Sequence, residues 1–411
     1  MSNYIGKPER ASQDRVIKLF QTELGYTYLG DWEKEVRTQP IEEAILKGYL
    51  LGKGYSTIQS QKAIDKLVKA ANNLSSGLYE ANKEVYHLLR YGVTVREELG
   101  QPKETVWLID WKDVENNQFG VAEEVTVQGK HTKRPDVVIY VNGIALGVIE
   151  LKRSKVSIEQ GIRQNLDNQK DEFIPKFFTT MQLVLAGNDT QGIRYGTIET
   201  PEKYFLTWKE ETDKDFDYIL DKHTTQLFEK TRLLELIHDF IVFDKGVKKL
   251  CRPNQYFGIK AAQTNVRTKQ GGILWHTQGS GKSLTMVWLT KWIRENVKDS
   301  RVLIITDREE LDDQIQKLFT GVDENIYRTK SGRDLINVLN HKTEMLVCSL
   351  VHKFGRNSED GDYDSYIKDL KESLGSDFKA KGDIYVFVDE CHRTQSGKLH
   401  DAMKMILPDA L

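Results

Sequence analysis

The chain has 411 residues, enough for two or three domains, with 39% apolar residues and a formal net charge of −2. It is no polycation, so any contact with nucleic acid must come from local patches. Cys251, Cys348 and Cys391 lie far apart, form no CxxC pair and argue against a structural zinc or a disulfide framework. The N-terminus MSNYIGKPERASQDR is polar and unlike a signal peptide, and no apolar run approaches the ~20 residues of a membrane span. The expectation is a reduced, cytoplasmic compartment with no membrane contact.

Residues 1 to about 95 read as helices: RVIKLFQTELGYTYLG, IEEAILKGYLLGKGY, IQSQKAIDKLVKAANNL and LYEANKEVYHLLRYG all space apolar residues by three or four. From Thr105 to Leu151 the texture changes to strands in VWLIDW, FGVAEEVTV, DVVIYV and IALGVIEL. A helix with Gln160, Arg163 and Gln164 follows, then strands in MQLVLAGN and IRYGTI. KEETDKDFD is acidic and reads as linker, and LLELIHDFIVF as a helix. From Cys251 onward strands (GILWH, VLIIT, MLVCSL, IYVFV) alternate with helices, the pattern of a parallel sheet with helices on its faces. The expected domains are 1–235 (helical lead-in 1–95, core 96–208, linker 209–235) and 236–411.

The second domain carries a phosphate-binding signature. In ILWHTQGSGKSLTMVWL a β-prone run meets a helix across Gly279, Ser280 and Gly281. Glycines let backbone N–H groups turn toward phosphate oxygens, and the helix N-terminus adds its positive end. Lys282 would reach the β- and γ-phosphates of ATP and Ser283 would ligate Mg²⁺. A plain glycine turn is the alternative. His276 stands where the general P-loop has glycine; with Thr277 and Gln278 before the glycines and Leu284 after Ser283, the run resembles motif I of superfamily 2 helicases. DIYVFVDECHRTQ sets Asp389 and Glu390 at a strand end, for the Mg²⁺ shell and the attacking water respectively. A solvated acidic pair is the bland reading there. Gln255 could read an adenine edge with Arg252 in support, or the segment is only a helix start. Asp307 and Arg308 follow VLIIT and resemble a DNA-backbone motif; Asp307 equally fits a helix N-cap.

In the first domain RPDVVIYVNGIALGVIELKRSK holds Asp136, Glu150 and Lys152 on a hairpin turned at Asn142-Gly143. Glu150 and Lys152 share a face. With a strict two-residue turn and no irregularity, Asp136 pairs with Ile149 and faces away from Glu150. A cleavage site therefore requires a three-residue loop or a bulge. Given one, both carboxylates and the Leu151 carbonyl can ligate Mg²⁺, with Lys152 beside the scissile phosphate. Lys155, Arg163 and Gln164 on the next helix suit phosphates and the surroundings of the metal. Without a bulge, the same residues form a surface salt bridge.

Pro-Asp, thirteen residues, then Glu-Leu-Lys resembles the PD-(D/E)xK nuclease signature. Followed by a superfamily 2 motor with a DECH box, it resembles the R subunit of type I restriction–modification enzymes, over nearly the whole chain. LLRYGVTV, GVIELKRS, LLELIHDFIVF and RPNQYF contribute to that resemblance. The resemblance implies a mixed-sheet nuclease domain with a helical lead-in, then a RecA-like doubly wound parallel sheet. It implies an ATP-driven enzyme that translocates double-stranded DNA and cuts it away from the recognition site, alongside modification and specificity subunits. It also implies a catalytic role for Gln164, while Asn168 stands where the family carries tyrosine. The chain stops about twenty residues past the DECH box, so a fragment lacking the second motor lobe is expected. A repair helicase–nuclease and a non-catalytic DNA-binding chain are the other readings.

Overall fold

The computed structural model describes residues 9–98, 100–306, 309–322, 324–350, 372, 374, 378–389, 404 and 406–411. The chain divides into two compact units, Met1–Pro253 and Asn254–Leu411. The division lies some twenty residues beyond the 235/236 boundary expected from the sequence.

The first unit begins with α1 (Glu9–Thr22), β1 (Thr27–Asp31), α2 (Glu43–Gly52), α3 (Thr57–Asn72) and α4 (Leu78–Tyr91). Ser56 and Gln59 close a reciprocal capping box at the start of α3, which stops the chain from fraying there. A short hairpin, β2 (Val93–Val95) and β3 (Glu104–Val106), leads to the sheet strands β4 (Phe119–Glu123), β5 (Val137–Val141) and β6 (Ile144–Leu151). After α5 (Ile158–Asn168) come β7 (Leu183–Asn188), β8 (Gly192–Gly196) and β9 (Leu206–Thr207). The unit closes with α6 (Ile219–Phe228), α7 (Lys230–Asp239) and the hairpin β10 (Ile241–Asp244) and β11 (Val247–Leu250).

The seven-stranded sheet runs β1-β4-β5-β6-β7-β8-β9. β1 is parallel to β4 and β6 to β7, and the other neighbours are antiparallel, so the sheet is mixed. The helical reading of residues 1–95 is thus corrected at Thr27–Asp31: that segment is an edge strand, because a ladder with β4 outweighs its weak helical period. The linker reading of 209–235 is corrected too. Only the acidic stretch lacks regular structure, whereas α6 and α7 bury Leu220, Leu227, Phe228, Leu233 and Leu236. The helix expected over LLELIHDFIVF ends at Asp239, and its β-branched tail forms β10.

α5 covers one face of this sheet. Ile158 and Ile162 pack with Ala122, Val138, Tyr140, Val148, Val184 and Ala186 in one buried cluster. A second tie is polar. Lys248 on β11 is buried and its ammonium donates to Asn82 Oδ1 (2.8 Å), Gln182 Oε1 (2.7 Å) and the Met181 carbonyl (3.2 Å). Burial pushes its pKa well down, and three acceptors matched to three donors offset part of that cost.

The second unit contains α8 (Pro253–Arg267), α9 (Lys282–Asn296), β12 (Ser300–Thr306), α10 (Glu309–Gly321), β13 (Tyr327–Arg328), α11 (Gly332–Asn340), β14 (Leu346–Leu350) and β15 (Asp383–Val388). The strands form a parallel sheet in the order β13-β14-β12-β15. Leu303, Ile305, Val347 and Ile384 meet Leu335 and Leu339 of α11 in its core. Arg301 is buried and fans onto the carbonyls of Val338, Leu339, Glu344 and Lys381, closing the C-terminal end of α11. The strand expected over GILWH is absent. Ile273 and Trp275 are 75% and 84% exposed, since β propensity makes no strand without a neighbour to pair with.

Candidate nuclease and nucleotide sites

The hairpin β5–β6 supplies the condition that a cleavage site needs. Asn142 and Gly143 both have positive φ (52° and 79°), so the turn has two residues and Val141 faces Ile144. Between the pairs Tyr140↔Ala145 and Ile139↔Gly147 the register slips, leaving Leu146 as an extra residue on β6. Beyond it Val137 faces Ile149, and the same register continued one step sets Asp136 opposite Glu150. The bulge reverses the parity of the hairpin.

Both carboxylates therefore lie on the α5 side of the sheet. Asp136 Oδ2 accepts from the Leu151 N–H at 2.7 Å. Glu150 is fully buried, and its Oε2 accepts from Gln164 Nε2 of α5 at 2.6 Å. Lys152 Nζ lies 3.9 Å from Asp136 Oδ2, 3.9 Å from Glu150 Oε2 and 2.8 Å from the Leu151 carbonyl oxygen. Two carboxylates, a carbonyl, an amine and an amide thus converge. An ionised carboxylate buried this deeply needs a compensating cation. The donor set is all oxygen and already surrounds one positive group, which fits Mg²⁺.

Asn168, one turn beyond Gln164 on α5, is buried. Arg163 faces outward and pairs with Glu202 at 3.1 Å, and Lys155 is exposed. One contact had no signal in the sequence. Gln13 of α1 donates to Glu123 Oε2 at 3.1 Å and to the Asp136 carbonyl at 3.3 Å, across more than a hundred residues. Tyr28 donates to the other Glu123 oxygen at 2.6 Å.

In the second unit Thr277, Gln278 and Gly279 are exposed, and Ser280 folds back with both its N–H and its hydroxyl on the Thr277 carbonyl. Gly281 has φ 89° and caps α9, whose first residues are Lys282, Ser283 and Leu284. A Cβ at Gly281 would lie 2.4 Å from Gln255 Nε2. Gln255 is buried, and its amide donates to the Gly281 carbonyl at 2.9 Å, bracing the loop. Arg252 is exposed and falls in the first unit. Asp389 is buried at the end of β15, with its N–H on the Ile305 carbonyl. Asp307, Arg308, Glu390 and Cys391 lie outside the described residues. The glycine loop and the helix N-terminus behind it suit a nucleotide phosphate.

Two family profiles match along the chain. That for the type I restriction enzyme R protein N terminus matches residues 7–203, and that for the SWI2/SNF2 ATPase matches residues 254–411. The chain is similar to the N-terminal part of type I restriction enzyme R proteins. The HindI type I restriction enzyme endonuclease subunit of Haemophilus influenzae is 29% identical over 83% of the chain and 34% of its own length. The SsaAORF53P endonuclease subunit of Staphylococcus saprophyticus is 26% identical over 69% of the chain and 30% of its own length. The chain spans about a third of the length of these relatives. The mixed sheet of the first unit and the parallel sheet of the second are consistent with a nuclease fold followed by a RecA-like lobe. No helix among the described residues is long and apolar enough to cross a membrane.

Proposed function

We propose that the first unit hydrolyses phosphodiester bonds of double-stranded DNA at Asp136, Glu150, Lys152 and Gln164. The observation that carries this reading is the Leu146 bulge, which sets two carboxylates and a lysine around one point. Asp136, Glu150 and the Leu151 carbonyl would hold Mg²⁺, which when bound polarises the phosphate and lowers the pKa of water. Gln164 fixes the rotamer of Glu150 through its amide. The Leu151 N–H fixes Asp136 in the same way. Lys152 carries its charge to the developing negative charge on the phosphate.

The second unit would bind ATP at residues 277–284, with Lys282 on the β- and γ-phosphates, Ser283 and Asp389 toward Mg²⁺, and Glu390 directing water. In this reading the chain is the N-terminal part of a cytoplasmic, ATP-dependent endonuclease and translocase subunit. It would act with modification and specificity subunits on unmodified DNA, cutting away from the recognition site. A plasmid-nicking assay tests the nuclease. The wild-type chain converts supercoiled DNA to open circles in Mg²⁺, and Asp136→Ala does not. Equal nicking by both would refute the assignment.

A further inference from the structure

The two strand ends that carry the candidate carboxylates run straight into two exposed basic segments, one on each side of the site. Ahead of Asp136 lies a tight hairpin. Val127 and Lys133 exchange both backbone hydrogen bonds (2.8 and 3.0 Å), and its tip is Gln128–Thr132. This tip is seated on the turn after α5. The Lys130 N–H donates to the Phe173 carbonyl at 3.2 Å, and Lys133 Nζ lies 4.0 Å from the centre of the Phe173 ring. The seat is close enough to demand glycine at 129, where a Cβ would fall 1.9 Å from the Phe173 oxygen. A basic tip held this firmly pays little ordering entropy on binding.

Behind Glu150 and Lys152 lies the turn Arg153–Ser157. Its backbone is closed by the Val156 N–H on the Arg153 carbonyl (2.8 Å). It is tied to the β7–β8 turn by Ser154 on Asp189 and by Thr190 on the Ser154 carbonyl. Arg153 and Lys155 are exposed. Among the described residues no ion pair is seen for Lys130 or Lys155. Lys133 and Arg153 each stand three residues from a candidate carboxylate, about 10 Å along extended chain. With the reach of their side chains, that separation suits phosphates flanking the one at the centre.

We propose that the 128–133 hairpin and the 153–157 turn are two backbone clamps that grip duplex DNA on either side of the scissile phosphate. Lys130 and Lys133 hold one side, Arg153 and Lys155 the other. The proposal rests on reading the site between them as the nuclease. These contacts are to phosphates, so they position DNA without reading its sequence.

The test is binding of a random-sequence DNA duplex by this chain across a range of salt concentrations. Each phosphate contact contributes roughly 0.9 to the slope of log affinity against log salt. Lys130→Ala/Lys133→Gln and Arg153→Ala/Lys155→Ala should each lower that slope by about 2. Lys18→Ala/Lys69→Ala, removing two exposed lysines of α1 and α3, should leave it unchanged. Wild-type slope in either clamp variant overturns the two-sided grip, and an equal fall in the control pair reduces it to nonspecific charge. Glu150→Ala separates the two readings. If Glu150→Ala still cuts while the clamp variants lose slope, the nuclease assignment fails and the two segments remain DNA-backbone contacts with no scissile phosphate between them.

Discussion

Replacing Lys152 by methionine should destabilise the first unit and make its stability depend on divalent metal. At 3.9 Å from each carboxylate, the ammonium interacts with each by about 4 kcal/mol at the effective dielectric of ~20 that suits protein sites. Its own partial desolvation offsets part of that. Removal leaves two carboxylates on one face with Glu150 fully buried. Breaking a buried ion pair from one side commonly costs about 3–5 kcal/mol. For a unit of this size that is roughly 6–20 °C in melting temperature. Mg²⁺ should then restore a large part of the loss, because the oxygens that faced Lys152 remain. The assay is thermal unfolding of wild-type and Lys152→Met chains, each with and without excess Mg²⁺. The reasoning is refuted if the variant melts with the wild type in metal-free buffer. It is also refuted if Mg²⁺ raises both proteins by the same amount.

Under the proposed function, Lys282→Ala should leave the melting curve intact and lower ATP turnover by at least ~100-fold in the assembled enzyme, through lost charge stabilisation at the phosphates; unchanged turnover would contradict the loop assignment. His223 is buried with its Nδ1 accepting the Ile193 N–H at 3.0 Å, and burial lowers its pKa to about 4. The unfolded chain takes up that proton near pH 6.5 and the folded chain does not, so stability is complete above pH 6.5 and falls toward pH 4 by about 3 kcal/mol. Melting temperatures at pH 7.5 and 4.5 should diverge more for wild type than for His223→Gln, and equal shifts would count against it.

The sequence made the chemistry of the hairpin legible but not its geometry. Asn142-Gly143 fixes a two-residue turn, and with a regular ladder that turn sends Asp136 and Glu150 to opposite faces. The rescue is one extra residue at Leu146, and only the neighbouring Gly147 in IALGVIEL hints at it. Its neighbourhood is held from outside the hairpin, with Thr180 donating to the Ala145 carbonyl and the Gln182 N–H to that of Leu146. Gln164 could be placed because the resemblance sets a glutamine on the helix that follows the nuclease lysine. Gln13 could not, since its link to Asp136 spans 123 residues and no local period encodes it. The same limit explains Thr27–Asp31 and Gly272–His276. A strand is defined by its partner, so one weakly patterned segment became a strand and one strongly patterned segment did not. Parallel pairing of β12 with β14 and β15 was legible, because buried β-branched runs between helices leave few other topologies.

Under the proposed function, the most direct measurement of the central claim is made on this subunit assembled with modification and specificity subunits and carrying Glu150→Ala. DNA cleavage and ATP consumption are followed in the same reaction on unmodified DNA. The account predicts that ATP is consumed at the wild-type rate while the DNA stays uncut, because Glu150 belongs to the first unit and the glycine loop to the second. Cleavage within a few-fold of wild type would contradict it and reduce the hairpin cluster to a buried salt bridge.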